Sequence, residues 1–96
     1  MDIGDFDPDK DAINRAKHDG VSLGDAAHFD IDTALVAYDD RHADAEDRFK
    51  AVGFIGAVLH VLVFTERGGQ IRPISLRRAD KLEVRSYEKH KSRYGF

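Results

Sequence analysis

The densest group of side chains that could do chemistry follows a pair of glycines. Gln70 to Leu76 is predicted to be a strand, and arginines follow it directly. The segment brings four polar side chains to one region: Arg72, Ser75, Arg77 and Arg78. A planar guanidinium matches the oxygens of a phosphate or a carboxylate in a two-point hydrogen bond. The cluster therefore indicates an anion-binding surface, and the alternative is that these arginines form surface salt bridges.

A second group of cations lies on the predicted closing helix, Ala79 to Tyr94, whose other side carries Leu82 and Tyr87. Five cations recur at spacings of three and four, which places them on one helical face: Arg78, Lys81, Arg85, Lys89 and Arg93. The stripe is predicted either to follow the phosphates of a nucleic acid or to be a solvated helix face. Salt dependence of RNA binding separates the two.

The composition is that of one globular domain spanning residues 1–96. Hydrophobic residues make up 42% and charged residues 34% of the 96, and there is no cysteine, which excludes disulfides and Cys-ligated metals. No apolar run approaches the ~18 residues of a membrane span. The acidic start of the chain lacks the basic and apolar regions of a signal peptide. We therefore expect a cytoplasmic protein.

The net charge of -3 hides an asymmetry between the two halves of the chain. Residues 1–48 carry a net charge of -9, and residues 49–96 carry +6. A basic half suits a polyanionic partner, whereas an acidic half suits a basic partner or solubility alone. Two solvated faces without a partner remain the alternative.

Local patterns predict two helices in the first third of the chain. Asp7-Pro8 starts the first helix, Ala12, Ile13 and Ala16 give it an apolar stripe, and Gly20 follows its end. Ser22 caps the second helix, with Asp25 as its capping-box partner, and this helix ends near Asp30. Ala26, Ala27 and Phe29 are predicted to face the core.

Strand patterns fill the rest of the chain. The predicted strands are Thr33 to Tyr38, Arg48 to Phe54, Val58 to Thr65 and Gln70 to Leu76, with Ile3 to Phe6 as a short edge strand. Glu66 to Gly69 is predicted to be a four-residue hairpin loop. The fold class is therefore α+β: two N-terminal helices, an antiparallel sheet of about four strands, and a C-terminal helix, with the helices on one face.

Two features raise the question of a metal ion or of a further catalytic group. The loop from Asp39 to Asp47 is rich in oxygen ligands and contains His42. It lacks a glycine-centred calcium-loop pattern and a second histidine at ligand spacing, so we predict no metal and no cofactor. His60 lies inside the most apolar strand and is interpreted as a core or interface histidine.

Across nearly its whole length the chain resembles the BrnT family, the toxins of type II toxin–antitoxin pairs. The matching pieces are Asp7 to Lys10, Asn14, Lys17-His18, Gly20 to Ser22, Ala26, Phe29, Glu46 to Arg48, Gly53, Val61 to Arg67, Ile71 to Ala79, Glu83 and Tyr87-Glu88. The resemblance implies a RelE-like fold and a metal-independent ribonuclease that arrests translation. It also implies a BrnA-like antitoxin, a ribbon-helix-helix DNA-binding protein, in a dimer or heterotetramer with the toxin.

The chain departs from the family pattern at three positions. Phe6 stands where the family usually has Trp, Asp19 looks inserted before Gly20, and Pro73 replaces an aliphatic residue. Pro73 removes a backbone donor, which predicts an edge or a bulge in its strand. The alternative function is therefore a non-catalytic toxin-like protein that binds an antitoxin through its basic surface. A plain RNA-binding module is disfavoured because no aromatic-rich platform is present.

Metal-independent RNA cleavage needs charge stabilisation and two proton transfers. Arg48, Arg72 and Arg77 are predicted to stabilise charge on the phosphate, unless they pair with Glu46, Glu66 or Glu83. We expect Arg72→Ala to slow cleavage by on the order of 10²-fold.

The candidate proton carriers are four: Glu46, Glu66, Tyr87 and His18. Either glutamate would need burial to act as a base. Tyr87 is predicted to act as an acid, to stack on a base, or only to anchor the helix. Imidazole exchanges protons near neutral pH, but a histidine at a helix end also suits a capping role.

Overall fold

The computed structural model describes residues 2–40 and 46–94, with the backbone alone for residue 94. The elements in chain order are α1 (Pro8–Lys17), a 3₁₀ helix (Leu23–His28), β1 (Leu35–Asp39), β2 (Arg48–Ile55), β3 (Val58–Arg67), β4 (Gln70–Arg78) and α2 (Lys81–Tyr94). The strands form one antiparallel sheet in the order β1-β2-β3-β4. The predicted α+β class, the four strands and the C-terminal helix are confirmed, but the second N-terminal helix is 3₁₀ rather than α.

Helix α1 has the predicted ends. The Asp7 carboxylate accepts a hydrogen bond from the Asp9 N–H (2.8 Å), and Pro8 occupies the first turn. Beyond the helix, Asp19 and Gly20 have φ of 53° and 81°, a left-handed conformation that stops the helix. The additional residue Asp19 is thus part of the terminator.

The apolar stripe predicted for α1 is wrong, because the buried residue of this helix is polar. Ile13 is 59% exposed, whereas Asn14 is 3% exposed. The Asn14 amide donates to the carbonyl oxygens of Leu76 (2.8 Å) and Val21 (2.9 Å) and accepts from the Leu76 N–H (3.0 Å). A single side chain therefore fastens α1 to strand β4 and satisfies backbone groups that would otherwise lack partners.

The 3₁₀ helix supplies the layer over one face of the sheet. The Ser22 hydroxyl caps it by accepting from the Gly24 N–H (3.0 Å), as predicted. The carboxylate that supports this turn belongs to Asp11, which accepts from the Leu23 N–H (2.7 Å), rather than to Asp25. Ala27 is exposed, contrary to prediction, because the tighter 3₁₀ turn rotates it away from the sheet.

The core lies between the 3₁₀ helix and the first face of the sheet. Its buried members are Leu23, Ala26, Phe29, Ala51, Leu62, Phe64, Ile71 and Leu76, and Phe6 packs against them. A side chain at Gly53 would lie 2.8 Å from the Phe29 ring, so the close packing of helix on sheet requires glycine there. Phe6, which stands where the family usually has Trp, is therefore a packing residue of this core.

The register puts the polar strand residues on the second face. Phe49 and Ala51 pair with Phe64 and Leu62 on the core face, so Arg48 and Lys50 point to the opposite side, as the alternation predicts. Ser75 and Arg77 of β4 share that second face, because they pair with Val63 and Val61 of β3. Cations of two different strands therefore project from one side of the sheet.

The hairpin between β3 and β4 is tighter than predicted. Gly68 and Gly69, with φ of 61° and 78°, form a two-residue turn, and β3 continues to Arg67. Further along, the register changes between Val63 and Phe64 at Pro73, which confirms the predicted bulge. The expected N-terminal edge strand is reduced to one isolated bridge between Ile3 and Ile71.

Helix α2 packs on the second face of the sheet, so the prediction that the helices cover one face is wrong. Asp80 and Glu83 each accept from the other's backbone N–H (2.8 Å), a capping box that starts the helix at Lys81 rather than Ala79. Tyr87 is 3% exposed and packs edge-on against Phe54. Leu82, predicted to pack on the apolar side of the helix, is 71% exposed.

No helix among the described residues has the length and apolar character needed to cross a membrane.

Candidate active site

A cleft of about 390 Å³ separates helix α1 from the second face of the sheet. We call it the cationic cleft. Its polar lining consists of Lys10, Lys17, His18, Asp39, Arg48 and Ser75, together with Asn14 at its wall, and its apolar lining consists of Ile13, Val63 and Ile74. Three cations and one histidine against one carboxylate make it a site suited to an anion.

The α1 wall of the cleft is set by helical spacing. Lys10, Asn14, Lys17 and His18 are separated by four, three and one residues, which puts them on one side of the helix. Because Asn14 in the middle of this row is fastened to Leu76, the flanking lysines and the histidine are directed to the cleft.

The opposite wall comes from adjacent strands of the sheet. Arg48 lies at the start of β2, with Asp39 of β1 as its cross-strand partner. Val63 and Ser75 are partners on β3 and β4. Arg48 is half-buried, so it is partly removed from water, and charge interactions are stronger there than in open water.

The cations of the cleft are not among those that form ion pairs within the described part of the chain. The ion pairs found there are Arg15–Asp11, Lys50–Glu83, Arg67–Glu46 and Arg77–Glu83. Lys10, Lys17 and Arg48 appear in none of these pairs. Among the described residues, these three cations are therefore not used in the ion pairs that hold the fold together.

Arg77 lies on the same face of the sheet as Arg48, but it binds a carboxylate of helix α2. Its two terminal nitrogens donate to the two oxygens of Glu83 (2.7 and 2.8 Å), and the Lys50 ammonium lies 3.6 Å from the same carboxylate. The hydrogen bonds from Arg77 lower the pKa of Glu83 from 4.5 to about 2. This arrangement matches the salt-bridge alternative for Arg77, whose predicted role toward phosphate stays a prediction.

The two glutamates predicted as bases lie outside the cationic cleft. Glu46 and Glu66 line a separate recess near the β3–β4 turn with Asp47, also about 390 Å³ in volume. Glu46 forms an ion pair with Arg67, and the hydrogen bond from Arg67 lowers the pKa of this carboxyl. We favour the cationic cleft over this acidic recess because three carboxylates repel a phosphate.

Arg72 lies on the same face as Arg48 but lines another depression. It pairs with Thr65 of β3, and the β2–β3 register, continued by one residue beyond Phe49 and Phe64, puts Arg48 on the other side of that threonine. Its side chain borders a small groove with Asp5, Arg67 and Gln70. Two inter-strand spacings, about 10 Å, separate the two arginine backbones, so Arg72 is a neighbour of the cleft rather than part of its lining.

Tyr87 and the α2 stripe are also placed away from the cleft. The Tyr87 hydroxyl donates to the Thr33 carbonyl oxygen (3.1 Å), which matches the anchoring alternative. The stripe cations Arg78, Lys81, Arg85, Lys89 and Arg93 are all exposed. Of the predicted catalytic set, the structure therefore brings Arg48 and His18 together in one cleft.

The residues that sequence reasoning missed are Lys10, Lys17 and Asp39 as members of a site. The signal for the lysines was present, since Lys10, Asn14, Lys17 and His18 follow a helical repeat. Apolar spacing points to Ala12, Ile13 and Ala16 as the buried side of α1, and nothing in a single sequence shows that a buried amide takes their place. His60 fits its structural interpretation, as its Nδ1 lies 2.9 Å from the Val58 carbonyl oxygen and the residue is buried.

The structure offers no cluster of metal ligands among residues 2–40 and 46–94. In the loop considered as a metal site, His42 and Asp44 lie outside the described residues.

A model of the family described as "Ribonuclease toxin, BrnT, of type II toxin-antitoxin system" matches residues 6–83. The chain belongs to the BrnT family. Its members are ribonuclease toxins, and membership in a type II system implies an antitoxin partner. No curated protein matches the chain. The matched segment of this BrnT-family chain contains the whole cationic cleft and ends at Glu83, the carboxylate that holds α2.

Proposed function

We propose that the protein is a metal-independent ribonuclease toxin that cuts RNA in the cationic cleft and thereby inhibits translation in the cytoplasm. The observation that carries the proposal is the convergence of Lys10, Lys17, Arg48 and His18 in one cleft within the family-matched segment. We further propose that the helix-and-sheet arrangement is RelE-like, as the resemblance implies.

The proposed reaction uses the RNA's own 2′-hydroxyl as nucleophile. The 2′ oxygen forms a bond to the adjacent phosphorus, and the bond from phosphorus to the 5′ oxygen of the next nucleotide breaks. One proton leaves the 2′-hydroxyl, and one proton reaches the departing 5′ oxygen. The products are a 2′,3′-cyclic phosphate and a 5′-hydroxyl, so the chemistry balances without an oxidant, a reductant or a metal.

Arg48 is the residue proposed to stabilise the transition state. The phosphate gains negative charge as the 2′ oxygen attacks, and a guanidinium fixed beside it stabilises that charge without reorganisation. Arg48 is held at the start of β2 and half-buried against the cleft. The Ser75 hydroxyl on β4 supplies a further donor to the same region.

His18 is the proposed proton carrier. Neutral imidazole accepts the 2′-hydroxyl proton, and water delivers the proton to the leaving 5′ oxygen. The position of His18 at the C-cap of α1, next to Lys17, puts the ring on the cleft side of the helix. The carboxylates Glu46 and Glu66 are less suited, because they line the acidic recess.

The test is RNA cleavage by the purified chain with EDTA present, followed by analysis of the product ends. The proposal expects 2′,3′-cyclic phosphate ends from wild type and a large loss for Arg48→Ala. Both free RNA and translating ribosomes are used as substrates. If wild type cuts neither substrate, the ribonuclease proposal fails and the non-catalytic, antitoxin-binding function takes its place.

We propose that the implied antitoxin is a BrnA-like ribbon-helix-helix protein whose carboxylates cover the arginines of the second face, in a dimer or heterotetramer. Arg77 already has Glu83 as a partner, so the largest change on binding is expected at Arg48 and Arg72. Arginine-specific modification read by mass spectrometry tests this. Equal reactivity of Arg48 in the free and bound toxin contradicts the proposal.

A further inference from the structure

Helix α1 carries a row of cations whose function is not explained by the fold. Lys10 and Lys17 are exposed, line the cationic cleft and form none of the ion pairs among the described residues. Arg15, on another side of the same helix, is paired with Asp11 at 3.0 Å. Of these three cations, Arg15 forms an ion pair within the helix, and Lys10 and Lys17 face the cleft.

The two lysines mark a direction along the cleft. Lys10 lies in the first turn of α1 and lines the cleft. Lys17 lies seven residues further along the helix, about 10 Å at 1.5 Å per residue. This separation is large enough for the two ammonium groups to contact different phosphates of one strand.

We infer that Lys10 and Lys17 are phosphate-binding residues that hold a single RNA strand along α1, with the bond to be cut facing Arg48. That the ligand is RNA rests on the proposed function. Lysine suits this task because a flexible ammonium follows a backbone phosphate without fixed geometry, while the planar guanidinium of Arg48 suits the reacting phosphate.

This assignment differs from the basic stripe predicted on α2. The α2 cations lie outside the cationic cleft, and all but the first turn of their helix lies beyond the family-matched segment. A strand bound along α2 would leave Arg48 and His18 without substrate. A strand bound along α1 places its phosphates beside His18 and across the cleft from Arg48.

The experiment measures binding without cleavage. The probe is a fluorescent mixed-sequence RNA oligonucleotide carrying 2′-O-methyl groups, which lacks the attacking hydroxyl, and its affinity is recorded at several salt concentrations. The variants are Lys10→Gln with Lys17→Gln, and, as a control with the same loss of charge, Lys89→Gln with Arg93→Gln on α2. Circular dichroism and melting temperature establish that both are folded.

The inference expects the slope of log affinity against log salt to become shallower by about 1.4 in the α1 variant, which is two single-strand phosphates at ~0.7 each. The α2 variant is expected to change the slope by less. A slope that is unchanged in the α1 variant, or that changes as much in the α2 variant, overturns the inference.

The outcome also separates this inference from the proposed function. If wild type binds the probe through the two lysines but cuts no unmodified RNA, the RNA path stands and the ribonuclease proposal fails. If wild type cuts RNA while the α1 variant binds with an unchanged slope, the proposed function stands and the path fails.

Discussion

Helices α1 and α2 are fastened to the same sheet by opposite kinds of chemistry. Helix α1 is held by the neutral Asn14 amide, which is bonded to the backbone of Leu76, whereas α2 is held by the Glu83 carboxylate between Arg77 and Lys50. The neutral attachment uses no cation, so the cations beside it face a cleft. The ionic attachment of α2 uses two cations, Arg77 and Lys50. Arg77 and Lys50 are paired with the carboxylate that holds α2, whereas Arg48 takes part in none of the ion pairs found among residues 2–40 and 46–94.

The largest expected effect comes from removing the neutral attachment. Asn14→Ala leaves the Leu76 N–H and C=O and the Val21 C=O without their partner, and each buried unsatisfied group costs roughly 1–3 kcal/mol. We expect the free energy of unfolding in urea to fall by about 3 kcal/mol.

The matched control for Asn14→Ala is Ile13→Ala on the same helix. Ile13 is 59% exposed, so its truncation is expected to cost at most about 0.5 kcal/mol. The Asn14→Ala loss should also be insensitive to salt, because no charge is involved. A loss no larger than that of Ile13→Ala would contradict the anchoring role.

The next effect concerns cleavage rather than stability. Arg48→Ala is expected to slow cleavage by at least about 10²-fold, the usual cost of removing a donor to developing negative charge. Arg48→Lys should rescue poorly, because an ammonium lacks the planar fork. Single-turnover rates with saturating protein separate this loss from weaker binding.

Lys50→Ala is the control for Arg48→Ala. Lys50 lies two residues along the same strand and on the same face, but beside Glu83. Its removal takes away the same charge from the sheet and is expected to leave the cleavage rate near that of wild type. Equal losses at both positions would show that the overall charge of the face, rather than the cleft, governs the reaction.

The elements of this fold were largely predictable from sequence because they depend on local signals. Asp7-Pro8 and Gly20 define α1, and alternation along β2 assigns Arg48 and Phe49 to opposite faces. The site was less predictable because it depends on which distant residues meet. That Arg77 meets Glu83 while Arg48 faces α1 follows from the packing of both helices, and the tethering of Asn14 to Leu76 spans 62 positions.

Arg72 tests how far the cleft extends across the sheet. Arg72 lies on the same face as Arg48, beyond Thr65, in a groove with Asp5 and Gln70. Sequence alone predicts a loss of about 10²-fold for Arg72→Ala. From its position we now expect about tenfold, the effect of a contact to a neighbouring phosphate. Single-turnover cleavage by the folded variant decides between the values: a loss as large as that of Arg48→Ala would place Arg72 at the reacting phosphate itself.

The smallest expected effect comes from the ionic attachment. Glu83→Gln removes the charge between Arg77 and Lys50, and because this carboxylate lies near the surface we expect a loss of about 1 kcal/mol at pH 7. The pKa of Glu83 is lowered in the folded state to about 2 from 4.5. Its contribution to stability is therefore complete above pH 4.5 and is lost as the pH falls toward 2.

Urea unfolding of wild type and Glu83→Gln at pH 7, 5.5, 4 and 3 measures this dependence. The difference between the two proteins should be constant at the higher pH values, shrink below about 4.5, and also shrink in high salt. Glu88→Gln, an exposed carboxylate on the same helix, controls for the loss of one negative charge. Because the Asn14 attachment carries no charge, the cost of Asn14→Ala should stay the same across this range. A pH-independent cost for Glu83→Gln would mean that its hydrogen bonds to Arg77, rather than its charge, hold α2, and the contrast between the two attachments would not hold.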